Sequence, residues 1–189
     1  MPTWAWILIV VVAALVLVAL LGVAAAAARR RRSAAVRERF GPEYDRTVER
    51  AGRPRAAEAE LTERERQRQR LDIVPLQPEA RDRYLESWRA VQTRFVDNPS
   101  GAVSEADRLV TDVMRDRGYP IDDFEHRAAD ISVDHPSLVE NFRAAHEIYL
   151  RSERGQASTE DLRQAFVHYR SLFDELLETR EASAQEAGR

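Results

Sequence analysis

The chain has 189 residues and a formal net charge of −3, with 44% hydrophobic and 32% charged residues. All 29 basic residues are arginines and there is no cysteine, which excludes disulfides, thiolate metal sites and cysteine nucleophiles. The length allows one membrane segment plus one domain, or a single modest domain. Residues 29–72 carry 14 Arg and 9 acidic residues, whereas residues 73–189 carry 15 Arg and 23 acidic residues.

Residues 1–28 predict an N-terminal transmembrane helix. From Trp4 to Ala28 no side chain is charged, and only two indoles can form hydrogen bonds. A helix of this length spans about 37 Å, which exceeds the roughly 30 Å of a bilayer hydrocarbon core. Trp4 and Trp6 suit one headgroup boundary. A cleaved signal peptide is the alternative, but it would need basic residues before a shorter apolar run.

The charges that flank this segment predict its orientation. Arg29–Arg32, with Arg37 and Arg39, follow the apolar run, whereas only the α-amino group precedes it. Because the arginine-rich flank stays in the cytoplasm, we expect a single-pass protein of the inner cell membrane. Its N-terminus would lie outside, and its C-terminal domain would be cytoplasmic.

Residues 29–72 predict a basic juxtamembrane helix. Val36, Phe40, Tyr44 and Val48 recur every four residues and so share one helical face. This face either lies on anionic lipid headgroups or belongs to a solvated helix whose arginines only mark the membrane edge. On the first interpretation the membrane-surface residues are Arg29, Arg30, Arg31, Arg32, Arg37, Arg39, Phe40 and Tyr44.

The second part of this region, residues 54–72, predicts a solvated helical spacer. Its only large apolar side chains are Leu61 and Leu71, and its arginines alternate with glutamates. A basic run can bind nucleic acid, but the glutamates within Arg64–Arg70 and the acidic domain that follows argue against it. We therefore expect no nucleic-acid partner.

Residues 73–181 predict a bundle of four substantial helices plus a short one, so the fold class is all-α. Apolar residues follow helical spacing, as in Tyr84, Trp88, Val91 and Phe95, and no stretch alternates with a strand period. The aromatic stripes are expected to form the core. Residues 182–189 are small and polar and are expected to fray. The helix boundaries are marked by Asn98-Pro99, Gly118 with Pro120, Asp134 before Pro136, Gly155, and Ser158 with Asp161.

A search of the helical domain for chemistry finds no catalytic or metal-binding motif. Its four histidines, which are His126, His135, His146 and His168, include no pair at the i, i+4 spacing of helical metal sites. Nucleophile-elbow, phosphate-loop, dinucleotide and EF-hand motifs are also missing. We therefore expect no metal, no cofactor and no enzymatic activity. The alternative is an enzyme or small-ligand sensor with an interhelical pocket of His135, His146, Tyr149 and His168.

Seven segments together carry a family resemblance, namely Arg39–Val48 (RFGPEYDRTV), Trp88–Gln92, Arg94–Asp97, Glu105–Val110, Arg117–Pro120, Asp134–Pro136 and His168–Arg170. Through them the chain resembles a family of single-span bacterial membrane proteins to which no activity is assigned. The resemblance implies one N-terminal anchor and a C-terminal helical domain, and it covers nearly the whole chain.

These features favour a membrane-tethered helical module for protein–protein interaction. Its partners would be the lipid bilayer, through residues 4–28, and an unidentified protein at the cytoplasmic face. Besides the enzyme or sensor, a third interpretation is an envelope-facing structural protein, because a chain without cysteine suits either redox compartment.

Overall fold

The computed structural model describes the backbone of residues 3–186 and the side chains of residues 15–28 and 30–178. Within this part of the chain all regular structure is helical, which confirms the all-α class. Residues 182–189 were predicted to fray, but α8 continues to Glu186, and only residues 187–189 lie outside the described backbone. The helices are α1 (Thr3–Phe40), α2 (Pro42–Ala51), α3 (Pro54–Gln69), α4 (Pro78–Arg94), α5 (Pro99–Asp116), α6 (Phe124–Asp134), α7 (Val139–Glu153) and α8 (Thr159–Glu186).

The chain divides into two compact units, Met1–Arg39 and Phe40–Arg189. In the first unit, which consists of α1 residues, every residue from 15 to 28 is exposed. Among the residues that the structure describes, no helix has an apolar stretch long enough to cross a membrane. Residues 4–14 of the predicted anchor have side chains outside that set. The transmembrane helix is therefore a prediction that the structure does not show.

The core of the second unit lies around α8, which packs against α5 and α7, while α4 packs against α5. Trp88 of α4 stacks on Phe166 and Phe173 of α8, with ring centroids 5.0 and 4.6 Å apart. Tyr169 and Phe142 are fully buried on the other side of the same core cluster of side chains. Large aromatic side chains at helical spacing thus form the core, as the sequence pattern predicts.

Helix boundaries in residues 73–178 follow the predicted capping chemistry at three positions. The Asn98 side chain accepts a hydrogen bond from the Gly101 backbone N–H at 3.0 Å, which caps α5. Ser158 and Asp161 cap each other reciprocally at the start of α8. Gly118 has φ 95°, the left-handed conformation expected after α5. The bundle of four substantial helices and one short helix is confirmed over α4 to α8.

Asp134 does not cap the helix that follows it, contrary to the prediction. It is the last residue of α6, and α7 begins only at Val139. Its carboxylate instead accepts hydrogen bonds from the Tyr119 hydroxyl at 2.6 Å and the Arg68 Nε at 2.5 Å. The Asp134 carboxylate therefore accepts hydrogen bonds from two side chains outside its own helix, and not from the backbone N–H groups at the start of α7 as a helix cap would.

Residues 54–69 form a packed helix of the second unit and not the solvated spacer that was predicted. Helix α3 contacts α2 and α6, and α2 contacts α7. Ala57 and Leu61 are fully buried, and Arg64 is 8% exposed, so these three positions form the inner face of α3. The folded unit therefore begins at Phe40, well before the boundary predicted at residue 73.

Candidate functional site

The second unit has a pocket between α6 and α7, which we call the α6–α7 pocket. It has a volume of about 610 Å³. Its charged lining contains more acidic residues than arginines, so a cationic group would be favoured inside it. The lining residues are Arg46, Asp123, Phe124, Glu125, Glu140, Arg143, Ala144, His146, Glu147 and Leu150.

Helix α7 supplies one wall of this pocket through Glu140, Ala144, Glu147 and Leu150. Positions three, four and seven residues apart lie on one helical face, so these side chains form a row along α7. The Glu140 Oε1 atom is buried and has no hydrogen-bond partner. An unsatisfied buried acceptor is costly, so this oxygen would gain from a donor that enters the pocket.

An aromatic pair joins the two sides of the pocket, with Phe124 on α6 and His146 on α7. Their rings are stacked, with centroids 3.7 Å apart and planes inclined by 6°. The His146 Nδ1 atom lies 3.5 Å from an Asp107 carboxylate oxygen, which also accepts a hydrogen bond from the Tyr169 hydroxyl at 2.7 Å. These contacts hold the imidazole in place, so the aromatic part of the pocket lining is rigid.

Beneath the pocket lies a buried ion-pair cluster of Glu43, Arg64 and Arg143. Glu43 is 1% exposed, and its Oε1 atom accepts hydrogen bonds from Arg64 at 2.7 Å and from Arg143 at 3.2 Å. Arg143 also donates to Glu125 at 2.7 Å, while Arg64 also donates to Glu60 at 2.7 Å. The cluster joins α2, α3, α6 and α7 around one carboxylate, and Glu125 extends it to the rim of the pocket.

The charge state of the rim follows from the same contacts. Burial alone would raise the pKa of Glu125, but the hydrogen bond and positive charge of Arg143, with Arg46 and Arg50 nearby, lower it below its usual value. Glu125 is therefore ionised at neutral pH and already paired. Of the two arginines that line the pocket, Arg143 donates a hydrogen bond to this carboxylate, and Arg46 acts on it through its positive charge.

A second polar cluster lies where the ends of α3, α5 and α6 meet α8. His135 is 7% exposed, and its Nδ1 atom lies 3.1 Å from the Glu175 Oε1 atom. Burial lowers the pKa of His135, although Glu175 and Asp134 act in the opposite direction. The Arg117 guanidinium donates to the Leu176 carbonyl at 2.9 Å and lies over the Tyr119 ring. The cluster links α8 to the preceding helices, with most of its donors already satisfied.

The structure brings together only two of the four residues predicted for an interhelical pocket. His146 lines the α6–α7 pocket, and Tyr149 lies beside it, with ring centroids 5.6 Å apart. His135 belongs instead to the cluster with Glu175. His168 is half-buried, which lowers its pKa, and no hydrogen bond or ring contact joins it to the other three in the described side chains.

The structure corrects the membrane-surface assignment for Phe40 and Tyr44. They are 1% and 8% exposed, and Tyr44 lies on α2, which packs against α3. The Tyr44 hydroxyl donates to Glu58 at 3.3 Å. These two side chains are therefore part of a protein core and cannot contact lipid. The other predicted members that the structure describes are exposed, namely Arg30, Arg31, Arg32, Arg37 and Arg39, while the Arg29 side chain lies outside the described set.

No group of three or more histidine or carboxylate side chains could hold a metal ion within the part of the chain that the structure describes. The sequence analysis did not predict the Glu43 cluster, because Arg64 and Arg143 occupy positions in their helices that look like solvent-exposed positions. One feature of the sequence did indicate that Glu43 is buried. Glu43 lies between the apolar Phe40 and Tyr44, near the start of a short helix that begins at Pro42.

No protein-family model, curated protein or solved structure matches this chain.

Proposed function

We propose that the protein is a membrane-tethered helical module that binds another protein at the cytoplasmic face of the inner membrane. In this proposal residues 4–28 form a single transmembrane anchor, and the helical unit that begins at Phe40 carries the binding surface. The protein performs no catalysis of its own. Its resemblance to single-span bacterial membrane proteins agrees with this arrangement.

The observation that carries the proposal is the exposure of large apolar side chains along α1. Leu15, Leu17 and Val23 are 64%, 58% and 68% exposed, and the residues between them are exposed as well. Soluble proteins rarely leave a contiguous apolar surface of this kind in water. Together with the eleven apolar residues before it, this segment has the length and composition that a bilayer would cover.

The orientation of the anchor is inferred from charge. Arg30, Arg31 and Arg32 are exposed directly after the apolar run, and no charged side chain precedes it. A positive flank of this kind stays on the cytoplasmic side during insertion. The unit that begins at Phe40 would then face cytoplasmic and membrane-bound proteins.

The binding role of the second unit is supported by its surface. The α6–α7 pocket is lined by charged, aromatic and apolar side chains, which is the composition of a recognition surface. The buried Glu43 cluster beneath it fixes the relative positions of the four helices that it joins. A surface held in this way can bind with little loss of conformational entropy.

The proposal is tested with the full chain expressed in a bacterial host. After alkaline carbonate washing of the membranes, the protein should remain in the pellet, and a variant with Leu15, Leu17, Leu20 and Leu21 replaced by Asn should be released. Crosslinking in intact cells should then give a defined adduct with the anchored protein. Release of the unmodified chain by carbonate, or only self-adducts under several growth conditions, would contradict the proposal.

A further inference from the structure

The α6–α7 pocket has two acidic side chains on one face of α7 that no other described residue engages. We propose that this pocket binds a basic helical segment of the protein partner, with two arginine or lysine side chains paired to Glu140 and Glu147. This inference rests on the proposed interaction function and specifies the chemistry of the partner.

Some of the carboxylates that line the pocket have hydrogen-bond or ion-pair partners, and others do not. Glu125 is paired with Arg143, and the Asp123 carboxylate accepts hydrogen bonds from His126. Glu140 and Glu147 have no hydrogen bond or ion pair with another described side chain, and the Glu140 Oε1 atom is buried. Arg46 also lines the pocket, but the lining still has four carboxylates and only two arginines. The pocket therefore keeps a net negative charge, and a cationic group on the α7 wall would also satisfy a buried acceptor.

The spacing of these two glutamates fits a helical ligand. They are seven residues apart, so they lie on the same face of α7 at a separation of about 10.5 Å along the axis. Ala144 lies between them on this wall and leaves room for a second backbone to approach. Two basic residues seven positions apart on a helix alongside α7 would meet both carboxylates.

The same wall continues into an apolar contact. Leu150 is 45% exposed, lies three residues beyond Glu147 and also lines the pocket. Phe124 is half-buried in the opposite wall. A partner helix would therefore place an apolar side chain one turn beyond its second basic residue, so that charge and apolar burial act on the same segment.

The test measures peptide binding to the full chain in lipid nanodiscs made of uncharged phosphatidylcholine. The probe is a fluorescein-labelled amphipathic peptide with two arginines seven positions apart and a leucine one turn later. We expect saturable binding that weakens at high salt, and a Kd at least about tenfold higher when E140Q and E147Q are combined. A peptide with glutamates in place of the arginines should not bind.

The matched control combines E79Q and E86Q. These two exposed glutamates are also seven residues apart, on α4, and their removal changes the net charge by the same amount. It should leave the Kd unchanged. Similarly, L150S should weaken binding, whereas V167S, at a position of similar exposure on α8, should not. Equal losses in both glutamate pairs, or equal binding of the acidic peptide, would overturn the proposal.

Crosslinking in cells separates this inference from the proposed function. If the pocket is the binding site, the adduct of the unmodified protein should be lost in the E140Q/E147Q variant and kept in the E79Q/E86Q variant. A partner adduct that persists equally in both variants would leave the interaction function standing and would overturn the assignment of this pocket. Circular dichroism of each variant verifies that the helices are retained.

Discussion

At the scale of single residues, Glu43 connects α2 to two other helices of the second unit. It is 1% exposed and holds two arginines that come from α3 and α7. A charged group in such a position is stable only while its partners are present, because each ion has lost its hydration. The second carboxylate oxygen of Glu43 is buried and has no hydrogen-bond partner, so the loss of hydration is only partly compensated even with both arginines present.

Replacing Glu43 by glutamine should therefore destabilise the second unit strongly. Two buried guanidinium groups would lose their shared counter-charge, and we expect a loss of about 3 kcal/mol in the free energy of unfolding. Urea unfolding followed by circular dichroism measures it. The control is E49Q at an exposed position of the same helix, which should change stability by less than about 0.5 kcal/mol. Similar effects of both substitutions would show that the cluster is not buried.

Gly118 illustrates a backbone constraint at the same scale. It has φ 95°, and a Cβ atom at this position would lie 2.6 Å from the Asp72 carbonyl oxygen. Alanine should therefore cost at least about 2 kcal/mol, from backbone strain and from the displaced carbonyl. The control is G155A, where φ is 69° but nothing lies within 4 Å of the added atom, so only the smaller backbone cost applies. Thermal unfolding of both variants compares them, and a larger loss at Gly155 would contradict this account.

His135 should make stability depend on pH. Burial lowers the folded pKa of His135 below its ordinary value of 6.5, so the unfolded chain binds the proton more readily. The contribution of this residue is therefore present above pH 6.5 and is lost as the pH falls through the folded pKa. Glu175, Asp134 and Arg117 are the charged groups that act on it.

The measurement is the free energy of unfolding between pH 5 and 8, compared with that of H135Q. The variant should show a weaker decline in stability below pH 6.5. A steeper acid decline in H135Q would contradict the assignment.

Asp130 should affect the pH dependence of stability in the opposite sense. Burial raises its pKa to about 6, so its contribution to stability is full below pH 3.8 and is lost as the pH rises through 6. D130N should therefore raise the free energy of unfolding above pH 6.

At the scale of helices, sequence pattern predicted α4 to α8 well and α3 poorly. Capping residues such as Asn98 and Ser158 act through neighbouring backbone groups, so they can be recognised from the sequence alone. The inner face of α3 consists of Ala57, Leu61 and Arg64, and only one of these is a large apolar residue. Its burial depends on Glu43 and Ser132, which are distant in sequence, and a local pattern cannot reveal such partners.

Truncation of Leu61 tests whether α3 belongs to the folded unit. Leu61 is fully buried, so L61A should lower the free energy of unfolding by about 3 kcal/mol through lost burial and a cavity. A solvated spacer would show a change near zero. Leu150, which is 45% exposed, provides the control, and L150A should cost less than about 0.5 kcal/mol in the same urea titration.

The candidate site could be predicted only in part, for a related reason. His146 and Tyr149 were among the four residues that the sequence predicted for an interhelical pocket. Glu140 and Glu147 were not, because exposed-looking glutamates are common in this acidic domain. They differ from the other glutamates because they line a pocket beside α6 and have no cationic partner there. Both properties depend on how the helices pack, so the sequence alone does not show them.

At the scale of the whole molecule, the chain combines two units of opposite character. The residues of α1 from 15 to 28 are apolar and exposed, whereas the second unit buries its apolar residues and presents charge. The composition of the first unit and the arginines that follow it were evident in the sequence. We infer from them a module held at the cytoplasmic face of a membrane, and this is the central claim of the account.

The measurement that tests this claim most directly is the topology of the full chain in a bacterial host. Two C-terminal fusions are compared, one with a reporter active only in the cytoplasm and one with a reporter active only after export. We predict activity of the cytoplasmic reporter alone, in the membrane fraction, with a reversal when Arg29–Arg32 are replaced by Ser and arginines are added before Trp4. Activity of the exported reporter in the unmodified chain, or cytoplasmic activity in the soluble fraction, would contradict the account.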